Sequence, residues 1–296
     1  MKNLFLSALL FAGTAALAAA APNTPAIDKT TPAAVAAAKK DGWQLIWSEE
    51  FNAADPRPNP AKWTYEVGNS IRNNEAQFYT NDRRENVRVE KGVLVIEARK
   101  EKYDKAQFTS GSVTTAGGRL SMRYGRMEIR AKIPNGRGVW PALWMLGTNI
   151  GSTRTEDGTR IPGVGWPRCG EIDIMEYVGH IPGTVHATMH TGNKEAANPK
   201  KTHFSRGGSI KKETPWDGFH LYILEWSPEQ IEVFYDTKKI LTYRRDLSRP
   251  DHWPFDKPHY LIMNIAIGGS WGGAKGIDDA AFPCRMEVDY VRVWKK

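Results

Sequence analysis

The sequence EIDIME spans residues 171–176 and is bounded by Gly170 on one side and Gly179 on the other. Its isoleucines, and the turn-forming glycines around it, are typical of a short β-strand. Because side chains alternate between the two faces of a strand, Glu171 and Asp173 share one face while the isoleucines point into a core. The stretch therefore predicts a strand that is apolar on one face and acidic on the other.

The third acid of this stretch does not fit simple alternation. Glu176 is five positions after Glu171, so a regular strand would turn it to the opposite face. A β-bulge near Ile174 or Met175 adds one residue and returns it to the face of Asp173. The sequence thus predicts a bulged strand with three carboxylates on one surface.

Three carboxylates on one surface suit the hydrolysis of glycosidic bonds. Retaining glycosidases use two carboxyl groups roughly 5–5.5 Å apart, one as nucleophile and one as acid and base. A third negative charge between them favours the protonated form of one glutamate. The alternative is a strand face that is acidic and solvated, with no catalytic role.

The residues around the strand resemble glycoside hydrolase family 16. The sequence GEIDIMEYVGHIP at residues 170–182 is similar to the active-site signature of that family. The extra residue in it is typical of laminarinases, which are endo-β-1,3-glucanases, and lichenases usually lack it. Further similar segments follow in family order at residues 45–51, 62–68, 73–80, 85–101, 124–134, 139–146, 185–190, 264–273 and 286–294. The resemblance implies that Glu171 is the nucleophile, Asp173 its electrostatic helper and Glu176 the acid/base.

Period-two patterns dominate the rest of the chain. Apolar residues alternate with polar ones at 127–133 and at 185–190, while 260–267 is almost wholly apolar. No segment longer than about ten residues has helical periodicity, so we predict an all-β fold. The resemblance implies a jelly-roll, concanavalin-like sandwich of two curved antiparallel sheets with a concave substrate cleft.

Aromatic and polar residues are candidates for the walls of that cleft. The spacing of the tryptophans in WPALW, residues 140–144, puts both on one strand face, where a core position is the alternative. The histidine at position 190 has a structural role as its alternative. With the resemblance included, the predicted substrate-binding residues are Trp140, Trp144, Trp166, His190, Asn74 and Trp271.

A structural calcium ion is a second consequence of the resemblance. It would be held by Asp289 of the last strand and by backbone carbonyls near Glu50 and Gly92, because hard oxygen ligands suit Ca²⁺. A salt bridge between Asp289 and an arginine explains this acid equally well. We expect no cofactor for catalysis.

The N-terminus predicts export. Lys2 is followed by an apolar stretch and by alanines at 18–20 that provide a cleavage site, so residues 1–21 are typical of a signal peptide. Residues 22–41, rich in alanine, proline and threonine, are predicted to be a tether, and 42–296 a single β-sandwich domain. The expected location is outside the cell or in the periplasm.

Composition limits the partners. The chain has 41 lysines and arginines against 33 acidic residues, a formal charge of +8. These charges are dispersed, so we expect no nucleic acid, and no stretch after the signal-like segment is long and apolar enough to predict a membrane span. The resemblance implies a polysaccharide substrate, and we expect a monomer. Cys169 and Cys284 either form a disulfide, which export would permit, or remain two buried thiols.

The leading functional hypothesis is a secreted enzyme that cleaves β-1,3-glucan of the laminarin type, or mixed-linkage β-1,3-1,4-glucan, within the chain and with retention. One alternative is a relative that acts on a galactan such as agar or carrageenan. Another is a glucan-binding protein without turnover, although such binders typically lose the acids that this chain keeps.

Overall fold

The computed structural model describes residues 42–154, 159–192 and 203–296. The predicted signal peptide (1–21) and tether (22–41) lie outside the described residues. Residues 155–158 and 193–202 also lie outside the described residues.

Two β-sheets pack face to face, which confirms the predicted all-β sandwich. The front sheet has seven strands, in the spatial order β15 (His203–Lys211), β14 (Thr184–Gly192), β13 (Glu171–Tyr177), β10 (Val139–Gly147), β19 (His259–Ile267), β8 (Ser112–Thr114) and β2 (Thr64–Tyr65). All of its neighbouring strands are antiparallel.

The back sheet has eleven strands. Its main order is β18 (Lys238–Arg244), β17 (Gln230–Tyr235), β16 (His220–Trp226), β9 (Gly125–Lys132), β20 (Cys284–Lys295), β6 (Val93–Tyr103), β7 (Ala106–Ser110), β4 (Gln77–Tyr79) and β3 (Gly68–Asn69). In addition, β1 (Gln44–Glu49) pairs with β20, and β5 (Val87–Glu90) pairs with β6. The pair β4–β7 is parallel, which departs from the antiparallel prediction.

Little else in the described chain is regular. A hairpin of β11 (Thr153–Arg154) and β12 (Arg160–Ile161) lies in the loop before β13. One helical turn, α1 (Gly269–Gly272), follows β19, and 3-10 turns occur at Pro250–His252 and Asp279–Ala281.

The core lies between the sheets and follows the predicted alternation. In β9, Met127, Ile129 and Ala131 are buried, while the charged residues between them are half-buried. Strand β10 is buried along its whole length, because one face packs in the core and the other forms the floor of a cleft. The front sheet thus offers one free face on which a site can be built.

The predicted bulge in β13 is confirmed by its pairing on both sides. Toward β10, Met175 pairs with Leu143 and Asp173 with the next residue, Trp144, so Ile174 is the extra residue. Toward β14 the register also shifts between Asp173 and Glu176. The bulge brings Glu176 back to the face that carries Glu171 and Asp173.

Glycines fix both ends of this strand. Gly170 has a φ of +81°, which favours glycine, and a β-carbon there would meet Pro254 and His259. A β-carbon on Gly179 would lie 1.7 Å from the carbonyl oxygen of Gly136.

Both cysteines are free thiols. Cys169 precedes β13 in the front sheet and Cys284 begins β20 in the back sheet.

Candidate active site

A cleft of about 590 Å³ lies on the free face of the front sheet. It runs across the strands, from His203 on β15 to the loop before β4. The residues that line it are Arg72, Asn73, Glu75, Trp140, Ala142, Trp144, Leu146, Ile150, Trp166, Glu171, Asp173, Glu176, Thr188, His190, His203, Asn264, Ala266 and Trp271. A groove that crosses several strands suits an extended ligand.

Glu171 is the first of the three acids, at the start of β13. The indole Nε1 of Trp166 donates a 3.0 Å hydrogen bond to its Oε2, and Nε2 of His190 lies 3.7 Å from its Oε1. Burial raises the pKa of Glu171 to about 8, and the nearby charges of Asp173 and Glu176 act in the same direction. His190 and the Trp166 hydrogen bond oppose this rise and favour the ionised form.

Asp173 is the most deeply buried of the acids, with 3% of its surface exposed. His190 Nε2 lies 3.0 Å from its Oδ2, although the contact is not aligned as a hydrogen bond. Burial raises the pKa of this carboxyl well above its ordinary value. Asp173 therefore tends to hold a proton when the glutamates beside it are charged.

Glu176 lies beyond the bulge. The indole Nε1 of Trp140 donates a 3.1 Å hydrogen bond to its Oε1. Burial, followed by the charge of Asp173, raises the pKa of Glu176 to about 8. A carboxyl with a raised pKa can donate a proton near neutral pH, as general acid catalysis requires.

The predicted tryptophans form the walls of the cleft. The rings of Trp140 and Trp271 meet edge to face, with centroids 5.5 Å apart. Trp144 donates through Nε1 to Oδ1 of Asn264 at 2.8 Å, which fixes the plane of its ring. Trp166 stands at the rim with 49% of its surface exposed, which is high for a tryptophan and leaves a ring face free.

In the loop before β4, the structure places a neighbour of the predicted residue in the cleft. Asn74 does not line the cleft, whereas its neighbour Asn73 does. Both have positive φ, 53° and 54°, so the turn separates their side chains. The guanidinium of Arg72 lies 4.8 Å above the ring of Trp144 and pairs with Glu66.

Glu75 is a cleft residue that the sequence analysis missed. It is buried, accepts hydrogen bonds from Gln77 and Tyr79, and has a pKa raised by burial. Its backbone forms a bridge with Gly268, and Asn73 accepts from the N–H of Ser270, which ties this loop to the loop of Trp271. An acidic residue in a polar loop was the only signal, and it is a weak one.

His203 is a second missed residue. Its Nε2 lies 2.7 Å from Nδ1 of His190, and its ring contacts Trp166 with centroids 4.8 Å apart. In the sequence it lies in a polar insertion with no motif around it. Only the pairing of β14 with β15 brings it beside the acids.

Two carboxylates at the predicted calcium site, those of Asp289 and Glu50, are paired with arginines. Nη1 of Arg130 lies 2.8 Å from Oδ2 of Asp289, and Arg292 binds both carboxylate oxygens of Glu50, at 2.9 and 3.0 Å. These guanidinium groups provide the countercharge that a cation would provide. The ion pair weighed as the alternative for Asp289 is therefore present, and calcium binding through the backbone carbonyls near Glu50 and Gly92 stays a prediction.

Among the described residues, one group of three side chains converges closely enough to hold a metal ion: Glu171, Asp173 and His190, with their ligand atoms within 4.8 Å of one another. Two of these are the acids already discussed, and His190 contacts both. We therefore treat the convergence as part of the acid cluster and assign no metal to it.

Comparisons with known proteins agree on one family. The model of the family "Glycosyl hydrolases family 16" matches residues 74–292. The chain is 46% identical over 263 residues to a beta-glucanase of Rhodothermus marinus, covering 87% of each sequence. It is also similar to the X-ray structure of the laminarinase from that organism, with a TM-score of 0.74 and coverage of 86% of this chain and 97% of that one.

A second solved structure is that of a non-specific endo-β-1,3(4)-glucanase of the same family, crystallised with a glucan oligosaccharide. It is 40% identical, has a TM-score of 0.74, and the match covers 86% of this chain and 95% of that one. Within the described part of this chain, no helix combines the length and the apolarity needed to cross a bilayer.

Proposed function

Because the chain belongs to glycosyl hydrolase family 16, we propose that Glu171, Asp173 and Glu176 carry out its hydrolytic chemistry on a β-glucan. The chain is an endo-β-1,3(4)-glucanase, and it is similar to the beta-glucanase and the laminarinase of Rhodothermus marinus and to a solved non-specific endo-β-1,3(4)-glucanase. The roles of its individual residues are proposed from the geometry of the cleft.

In the first step, Glu171 is the nucleophile. An oxygen of its carboxylate attacks the anomeric carbon, while the bond from that carbon to the bridging oxygen breaks. Glu176 transfers its proton to the departing oxygen, so one part of the glucan leaves as an alcohol. The hydrogen bond from Trp166 and the nearness of His190 favour the charged form of Glu171 that this step requires.

In the second step, Glu176 acts as a base and Glu171 is the leaving group. Glu176, now ionised, takes a proton from water, and the water oxygen attacks the anomeric carbon. The ester bond to Glu171 breaks and its carboxylate is restored, with overall retention of configuration. Burial strongly opposes the ionisation of Asp173, so this residue keeps its proton. That proton can form a hydrogen bond to Glu171 when Glu171 is neutral or esterified.

The proposed substrate-binding residues are Trp140, Trp144, Trp166, Trp271 and His190 from the sequence analysis, with Asn73 in place of Asn74. The observation that carries the proposal is the convergence of all three acids on one tryptophan-walled cleft through the bulge at Ile174. Indole rings cover the apolar faces of sugars, and a cleft that crosses several strands can hold a polymer along its length.

The test is incubation of the purified protein with laminarin, barley mixed-linkage glucan, agarose and carrageenan. Product sizing should give short oligosaccharides from the first two polymers, and proton NMR at early times should show the β-anomer first. Initial release of the α-anomer would contradict the roles assigned to the glutamates. Cleavage of a galactan only would contradict the substrate.

We also propose that the protein is exported and acts as a monomer. The support is the signal-like composition of residues 1–21 and the alanine- and proline-rich stretch after it. N-terminal sequencing of protein recovered from culture medium or periplasm should begin near residue 22, and light scattering should give the mass of one chain. Recovery only in the cytoplasm with residues 1–21 intact would contradict export.

A further inference from the structure

The proposed nucleophile and three other residues form a closed ring of contacts. Trp166 donates to Glu171, His190 contacts Glu171, and His203 contacts both His190 and Trp166. Three of the four come from different strands, and Trp166 comes from the loop before β13. The carboxylate of Glu171 is therefore held from two sides, and the two supports meet at His203.

The contact between the histidines is a hydrogen bond in the plane of their rings. The ring planes differ by 15°, with centroids 4.9 Å apart, while Nδ1 of His190 lies 2.7 Å from Nε2 of His203. Rings stacked face to face do not approach closer than roughly 3.5 Å. The two imidazoles therefore meet edge to edge, and one nitrogen donates a proton to the other.

The direction of this bond follows from the surroundings of each ring. His190 presents Nε2 to the carboxyl groups of Glu171 and Asp173, and the charged form of Glu171 favours a proton on that nitrogen. Burial, followed by the charge of His190, lowers the pKa of His203, so this ring is neutral and has one nitrogen free to accept. The donor is then Nδ1–H of a cationic His190, and the acceptor is Nε2 of His203.

We propose that His203 is a positioning residue that accepts the Nδ1 proton of His190, keeps that ring cationic and oriented, and so supports the ionised form of Glu171. The inference rests on the proposed function, since it assigns Glu171 as nucleophile. The charged or titratable groups that face His190 are Glu171, Asp173 and Glu176 from β13 and His203 from β15; the loop before β13 adds the neutral Trp166.

Removal of the acceptor should change the pH dependence of catalysis. In His203→Ala, the Nδ1–H of His190 loses its partner and the cationic ring becomes less stable. Glu171 then has a weaker positive neighbour and becomes harder to ionise. The acid limb of kcat/KM should move to higher pH by about 0.5 unit or more. In His203→Gln, the amide oxygen can accept the same proton, so the limb should stay near its wild-type position.

The matched control is His220→Ala. Like His203, His220 is a strand histidine whose ring has a polar partner, in this case the carboxylate of Asp236, but it lies on the back sheet. Its pH profile should match the wild type. An unshifted limb in His203→Ala, or equal shifts in the alanine and glutamine variants, would overturn the proposal.

A measurement without turnover separates this proposal from the proposed function. In ¹⁵N-labelled wild-type protein at pH 6, both ring nitrogens of His190 should carry protons, and His203 should be neutral with an unprotonated Nε2. In His203→Ala, the Nδ1 proton of His190 should exchange rapidly with water. A bare Nδ1 on His190 in the wild type would overturn the proposal whatever polymer the enzyme cleaves. Failure to hydrolyse any glucan would overturn only the function.

Discussion

At the scale of the residue, the two catalytic glutamates differ in the side chains that contact them. Burial raises the pKa of Glu171 and of Glu176 to about 8, so burial does not distinguish them. Glu171 has both an indole N–H and His190 beside it, whereas Glu176 has an indole N–H. The close approach of His190 to Glu171 favours the charged form of that carboxylate, which is the form that a nucleophile requires.

The first prediction concerns the nucleophile. Glu171→Gln keeps the size of the side chain but removes the charge that attacks the anomeric carbon. We expect laminarin hydrolysis to fall by roughly 10³-fold or more, with glucan binding largely kept. Reducing-end assays and isothermal titration calorimetry measure the two effects. Glu229→Gln, exposed on the turn after β16, is the control, and wild-type turnover by Glu171→Gln would remove Glu171 from its role.

At the scale of the element, the bulged strand β13 depends on its two glycine boundaries. Gly179 accepts no side chain because the backbone of Gly136 fills the space, and its N–H donates to the carbonyl of Val139. This interlock holds the end of β13 against the turn that begins β10. The two strands that carry the acids and the tryptophans are thereby fixed relative to each other.

The second prediction tests this interlock. In Gly179→Ala, the new methyl group would lie 1.7 Å from a backbone oxygen, and a backbone atom cannot move aside as a side chain can. We expect the free energy of unfolding to fall by roughly 1–3 kcal/mol or more. Urea denaturation measures it. Gly218→Ala is the control, since its β-carbon meets no atom within 4 Å, and equal effects of the two variants would contradict the argument.

At the scale of the whole molecule, the acid cluster sets a stability that depends on pH. The folded-state pKa of Glu176 is raised to about 8 from an ordinary 4.5, so folding favours its protonated form. That contribution is fully present below pH 4.5 and is lost as the pH rises toward 8. A functional cluster of this kind weakens the fold under the conditions in which its carboxylates are charged.

The third prediction follows from the direction of this pH dependence. Glu176→Gln imitates the protonated form at every pH, so it should stabilise the protein relative to wild type more at pH 9 than at pH 5. We expect the difference between the two pH values to be on the order of 4 kcal/mol. Denaturation curves at both pH values measure it, with Glu229→Gln as the control. A constant difference between Glu176→Gln and wild type would show that folding does not raise this pKa.

The fourth prediction concerns the back sheet. The carboxylates of Asp289 and Glu50 are already balanced by Arg130 and Arg292. We therefore expect the Tm to be the same in EDTA and in millimolar calcium. A rise of several degrees with calcium would instead support the ion that the resemblance implied, since a ligand that binds only the folded state raises Tm.

What the sequence by itself determined was local. The alternation of EIDIME, its odd spacing and its flanking glycines predicted the bulged strand, and the patterns along the chain predicted an all-β fold. Such features are encoded within one strand, because side-chain direction follows from position alone. The three acids and the shared face of Trp140 and Trp144 were accessible in this way, whereas the binding roles of the tryptophans, including the loop residues Trp166 and Trp271, were predicted with the resemblance included.

What only the tertiary structure decided was the pairing between distant segments. His203, Glu75 and Arg72 reach the cleft through strand register and loop docking, and Asp289 meets Arg130 across 159 positions of sequence. Asn73 lines the cleft in place of Asn74 because of a backbone turn that composition does not specify. The physical reason is that contacts between strands depend on register and packing, which are properties of the whole fold rather than of any stretch within it.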